Sequence, residues 1–119
     1  MTYTDAYLLP IPNDKFDEYR AIASMAGPVW IEHGALSYKE FVIDDDNIDQ
    51  MISFSKLAGV QENETCIIAF ATYKSREHRD EVMAKVMTDQ RLKDACDQDK
   101  MPFEFTRMAY GGFSSIVDL

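Results

Sequence analysis

The stretch Thr65-Cys66-Ile67-Ile68-Ala69-Phe70-Ala71-Thr72-Tyr73 is apolar in both alternating registers. A strand that is wet on one face alternates apolar with polar, so a run without polar alternation predicts a strand in a sheet covered on both sides. The elements on either side have to supply that cover.

Upstream, residues 3–11 (Tyr-Thr-Asp-Ala-Tyr-Leu-Leu-Pro-Ile) read as a first strand, with Pro10 and Pro12 expected to close it. Asn13 is the expected N-cap of a helix whose Phe16, Tyr19, Ala23, Ala26 and Trp30 recur on one face. Gly27-Pro28 is expected to kink that helix, and His33-Gly34 to end it. Residues 35–43 predict a second strand, followed by the repelling run Asp44-Asp45-Asp46. Met51 to Leu57 read either as a continuation of that strand or as a hairpin arm.

Downstream, Ser75 caps a second helix with Val82, Met83, Val86 and Met87 as its stripe, and Asp89 starts a shorter one. The methionines Met83, Met87 and Met108 read as core fillers. A last strand is expected over about 105–117, and within it lies Tyr110-Gly111-Gly112-Phe113. Paired glycines inside a strand imply a bulge, a bend or a close backbone approach.

The order is β-α-β-β-α-β, an α+β, ferredoxin-like domain over residues 1–119. Its two main helices cover one face of a four-stranded antiparallel sheet. The other face carries apolar residues in alternate register and needs a second cover. A second copy packing sheet on sheet, giving an α/β barrel, is the simplest one. A homodimer is therefore expected.

Composition narrows the function classes. The chain of 119 residues carries 21 acids and 12 bases, for a net charge of −9, and both halves are acidic. No segment offers the basic footprint that nucleic acid or an anionic membrane requires. No apolar run approaches the roughly 20 residues of a membrane span. Cys66 and Cys96 lack Cys-x-x-Cys spacing, so neither a zinc site nor a dithiol redox pair is expected. The N-terminal residues show no signal-peptide pattern, and the chain reads as cytoplasmic. His33 and His78 read as capping or exposed residues, and haem binding lacks an apolar helix face around His78. No cofactor is expected.

Tyr3-x-Asp5, Pro12, Tyr19, Gly34-Ala35-Leu36, Glu40, Tyr73, Met101-Pro102-Phe103, Arg107-Met108 and Tyr110-Gly111-Gly112-Phe113 together resemble the YbaA-like family of uncharacterised bacterial proteins. The resemblance spans nearly the whole chain and departs mainly over residues 44–64. It implies the dimeric α/β-barrel fold. That superfamily includes cofactor-independent monooxygenases, haem-degrading enzymes, isomerases and ligand-binding regulators, and a shared fold transfers none of these activities.

Acids inside strands are unusual. Asp5 and Glu40 with Tyr7, Tyr38 and Tyr110 either converge on a polar pocket, or Asp5 caps an edge while Glu40 faces solvent. Arg107 either clamps a substrate carboxylate or ties down the loop before the last strand. Trp30 either lines a cleft or belongs to the core. Two functions compete: a module binding a small aromatic or carbonyl metabolite through Tyr7, Trp30, Tyr38, Glu40, Arg107 and Tyr110, and a cofactor-independent monooxygenase- or isomerase-like enzyme with Asp5 as its base. An open cleft beside Trp30 that holds a buried ionisable group is required by the second, and a cleft filled by Phe16, Tyr19 and Met83 with no buried acid excludes it.

Overall fold

The computed structural model describes the backbone of residues 1–119 and every side chain but that of Gln98. Four strands, β1 (Tyr3–Pro12), β2 (Ser37–Val42), β3 (Glu64–Tyr73) and β4 (Ala109–Ser114), form one antiparallel sheet in the order β2-β3-β1-β4. Between them run α1 (Phe16–Glu32), α2 (Phe54–Leu57), α3 (Arg76–Val86) and α4 (Gln90–Ala95). This is the split βαβ arrangement: β3 lies between β1 and β2, and β1 lies between β3 and β4.

The apolar run over 65–73 occupies an interior strand, as its pattern requires. Its odd residues Ile67, Ala69, Ala71 and Tyr73 lie opposite Leu9, Tyr7, Asp5 and Tyr3 on the helix side. There Tyr73, Val82, Val86 and Ala26 form one core cluster, and Leu9, Ile11, Tyr19 and Ile67 a second. Its even residues Ile68 and Phe70 face the other way, with Leu8 of β1 and Phe41 of β2. The Phe41 and Phe70 rings meet edge to face at 6.2 Å, and Phe41 and Phe113 are 49% and 61% exposed.

Several boundaries differ from expectation. The first strand does not stop at its prolines but continues through Pro12. Asn13 N–H donates to Asn63 O in register with β3. Odd residues of β1 therefore bond to β3, and even ones point toward β4. Pairing with β4 ends at Leu8, so Pro10 and Pro12 lack donors only where no strand would receive them. Asn13 is not a side-chain cap; it opens a 3₁₀ turn, Asn13–Lys15, ahead of α1. α1 runs as one helix from Phe16 to Glu32 with Pro28 inside it. Gly27 lies opposite the Tyr38 ring, where a Cβ would approach Cδ1 to 2.9 Å. Gly34, at φ +116, ends the helix as expected.

Residues 54–57 form neither strand nor hairpin arm but the short α2, capped by Ser53 Oγ on the Lys56 N–H. Ser75 and Asp89 cap α3 and α4 as read from sequence. The last strand is shorter than 105–117, because Phe105–Arg107 is a 3₁₀ turn. β4 itself pairs with β1 without a bulge, so its paired glycines serve close approach. A Cβ on Gly112 would come within 2.8 Å of Tyr3 Cζ.

Candidate functional site

The expected polar convergence exists, but as two clusters rather than one. The first is built on neighbouring strands. Glu40 of β2 pairs with Ala69, and Tyr38 with Ala71, so both point from the sheet toward α1. Tyr38 OH donates to Glu40 Oε2 at 2.6 Å, and Tyr19 OH, from α1, donates to Glu40 Oε1. Burial, and next the Glu40 charge, push both tyrosine pKa values well above the usual phenol range. Both hydroxyls therefore keep their protons and commit them to one carboxylate. Glu40 does not face solvent beside Lys39.

The second cluster is centred on Asp5, which is fully buried on β1, an interior strand, and so caps no edge. Arg79 Nη1 donates to Asp5 Oδ1 at 2.6 Å, and Tyr110 OH donates to the same oxygen at 2.8 Å. The Arg79 guanidinium also lies over the Tyr3 ring, 5.0 Å from its centroid. Asp5 Oδ2 is buried without a partner among the described residues. Burial opposes the Arg79 charge, but the Asp80 hydrogen bond and the Asp5 charge more than offset it and hold its pKa up. Tyr7 stands between the clusters, its ring 5.1 Å from that of Tyr110. Burial, with Asp5 next, raises its pKa too.

A cavity of about 360 Å³ opens between the sheet and α1, within the size range of small-molecule sites. Tyr7, Tyr38 and Glu40 floor it, Tyr19, Ala26 and Trp30 wall it from α1, and Met83 of α3 and Met87 just past its end border it. The Trp30 and Tyr38 rings are 5.2 Å apart. The cleft is thus open rather than filled by Phe16, Tyr19 and Met83, and the acid it holds, Glu40, is half-buried rather than buried. Its remaining side is a strap: Leu92, Lys93, Cys96, Met101, Phe103, Phe105 and Met108 all line it. Burial, and next the Glu40 charge, raise the Cys96 pKa.

Of the residues singled out from sequence, Tyr7, Trp30, Tyr38 and Glu40 line this cavity, while Asp5, Tyr110 and Arg107 do not. Asp5 lies outside the cavity lining, with its Oδ1 taken by Arg79 and Tyr110. Arg107 donates to Glu64 Oε2 and Oε1 at 2.8 Å each and to Gly59 O at 2.9 Å. These bonds tie the turn before β4 to Glu64 and to Gly59, and the Arg107 hydrogen bonds hold Glu64 below the usual carboxylate range. His33 Nε2 meets Asp89 Oδ2 at 2.8 Å, and His78 Nδ1 accepts the Lys74 N–H, so both histidines secure helix ends. Among the described residues, no group of three or more His, Cys, Asp or Glu could hold a metal ion.

Sequence reasoning missed two partners. Tyr19 stands in an apolar helical stripe, where its hydroxyl carries no signal of its own. Arg79 had a signal: it stands three and seven residues before Val82 and Val86, on the apolar face of α3, where a charge needs a buried acid.

Residues 2–105 match the family model described as "Protein of unknown function (DUF1428)". The chain belongs to that family. "Uncharacterized protein YbaA" of Escherichia coli K12 is 37% identical over 118 residues, covering 99% of each chain. Among solved structures, the Streptomyces nogalater cofactor-independent oxygenase SnoaB superposes with a TM-score of 0.61 at 9% identity, over 99% of this chain and 96% of that one. A NIPSNAP family protein of unknown function from Agrobacterium tumefaciens gives a TM-score of 0.60 at 16% identity, over 94% and 86%. These two structures establish for this DUF1428 member a fold, the ferredoxin-like α+β sheet. No helix of the described residues is long and apolar enough to cross a membrane.

Proposed function

We propose that this DUF1428 protein binds a small aromatic metabolite in the cavity between α1 and the sheet. The observation that carries the reading is the cavity itself: about 360 Å³, walled by Tyr, Trp, Phe and Met side chains, with its hydrogen-bonding groups gathered at Glu40. Apolar walls with few, fixed polar groups are the usual form of a small-molecule site.

The test is a thermal-shift series with 1-naphthalenemethanol and 1-tetralone. A ligand at a hundredfold excess over its Kd stabilises the native state by about 2.7 kcal/mol, so the melting temperature rises by several degrees. Ala23→Phe, which puts a ring into the cavity, abolishes the rise. A series with no rise for any aromatic probe would sink the reading.

A second reading, a cofactor-independent oxygenase- or isomerase-like enzyme, is favoured by one observation, the carboxylate at the cavity wall. In that reading Glu40, not Asp5, touches the substrate. Both of its oxygens already accept a tyrosine proton, so a substrate would have to share them.

We further propose that the outer face of the sheet is covered by a second copy of the chain, forming a homodimeric barrel in the cytoplasm. The support is the patch of Phe41, Phe70, Ile68 and Phe113, together with two free cysteines. Phe113→Asp is expected to convert a dimer to a monomer in light scattering at micromolar concentration. A wild-type monomer under the same conditions would remove the dimer.

A further inference from the structure

The Glu40 carboxylate has both of its oxygens occupied by tyrosine protons, yet it has no counter-charge. Among the described residues, no Lys, Arg or His makes an ion pair with it. Lys93 lines the same cavity but is exposed to solvent and does not reach it. A half-buried carboxylate in an apolar wall is costly unless it is paired. Asp5, the other sheet acid facing the helices, shows the contrast: it has Arg79.

The hydrogen-bond sense of this wall points the same way. Tyr19 and Tyr38 have given their only protons to Glu40, so each presents oxygen lone pairs to anything beside it. Burial and the Glu40 charge keep those protons in place. Glu40, Tyr19 and Tyr38 therefore offer acceptors and negative charge and no free donor, and the unpartnered donor in this lining is the buried Trp30 Nε1–H. Around it stand the π-faces of Tyr19, Tyr38 and Trp30, with Phe103 at 5.7 Å from Tyr19. Such faces attract cations, most strongly where water is excluded. A net charge of −9 draws cations to the surface in the first place.

We propose that the polar end of the ligand is a cation: an organic ammonium, attached to an aromatic body, seated against Glu40 among the Tyr19, Tyr38 and Trp30 rings. This rests on the reading of the cavity as a small-molecule site and names its substrate class. A neutral alcohol satisfies the acceptors but leaves the charge unpaired, and an aromatic acid is repelled.

Three near-isosteric probes separate these cases by calorimetric titration at neutral pH: 1-naphthylmethylammonium, 1-naphthalenemethanol and 1-naphthoate. The expected order is ammonium, alcohol, carboxylate, with the ammonium binding about tenfold tighter than the alcohol, since both can donate to the carboxylate but only the ammonium adds a charge–charge attraction. In Glu40→Gln the ammonium's advantage over the alcohol is expected to disappear. An ammonium no tighter than the alcohol, a carboxylate that binds tightest, or an advantage that survives unchanged in Glu40→Gln overturns the cation assignment and leaves the aromatic cavity standing. Failure of all three probes to bind overturns both. The wild-type series decides the order of charge even where the variant does not fold.

Discussion

Arg79→Met is expected to lower the unfolding free energy by roughly 3–5 kcal/mol, because it strands a fully buried Asp5 carboxylate without its counter-charge. The methionine keeps most of the volume packed over Tyr3, so the loss reports charge rather than a cavity. Urea unfolding of four proteins separates the contributions: wild type, Arg79→Met, Asp5→Asn and the double variant. Removing both charges is expected to restore more than half of the loss, since a neutral amide can still accept from Tyr110. A single variant that loses less than about 1 kcal/mol, within the range of exposed ion pairs, would mean that the pair is solvated in solution. The cluster ties β1, β4 and α3 together, so its failure should be felt by the whole sheet.

Gly112→Ala is expected to cost about 3 kcal/mol, near the upper end for overpacking, from the addition of one methyl group. Tyr3 is what makes the site intolerant. Its ring crosses over Gly112, and an added Cβ would meet the hydroxyl and stand 2.8 Å from Cζ. Tyr3 is itself 8% exposed and held under Arg79, so it has little room to move aside. In a Tyr3→Phe background the hydroxyl clash disappears, and Gly112→Ala should cost measurably less. Gly111→Ala is the control: there the nearest atoms belong to the mobile end of an exposed Phe113 ring, at 3.2 Å. Equal costs at the two glycines would show that strand propensity, not close approach, is being measured.

Sequence alone exposed what has a period or a cap. The two-sided apolar run at 65–73, the helical stripe from Phe16 to Trp30, and the caps Ser75 and Asp89 stand where local chemistry demands them. What escaped was set by register. Pro10 and Pro12 look like strand terminators until one knows that their missing donors face past the end of β4. Asp5 and Glu40, alike in sequence as strand acids, end in opposite situations, because only one of them has an arginine from α3 above it. Arg107 looks equally suited to a ligand and to a loop, and only the folded position of Glu64 separates the two. Paired glycines announced a geometric demand without naming Tyr3 as its cause.

The strap that roofs the cavity has a consequence for kinetics. From Gln90 to Met108, every backbone N–H bond among the described residues returns to Asp89 or to a carbonyl of the strap itself. Side chains moor it at its ends, Arg91 to Glu32 and Arg107 to Glu64 and Gly59. Lifting it breaks apolar contacts and two moorings but no rung of the sheet. Its amides are therefore expected to exchange with solvent by a sub-global opening, and a molecule bound in the cavity as proposed would enter and leave by that opening rather than by unfolding of the strands. Tightening the sheet would leave the rate of ligand exchange unchanged, whereas loosening either mooring would raise it.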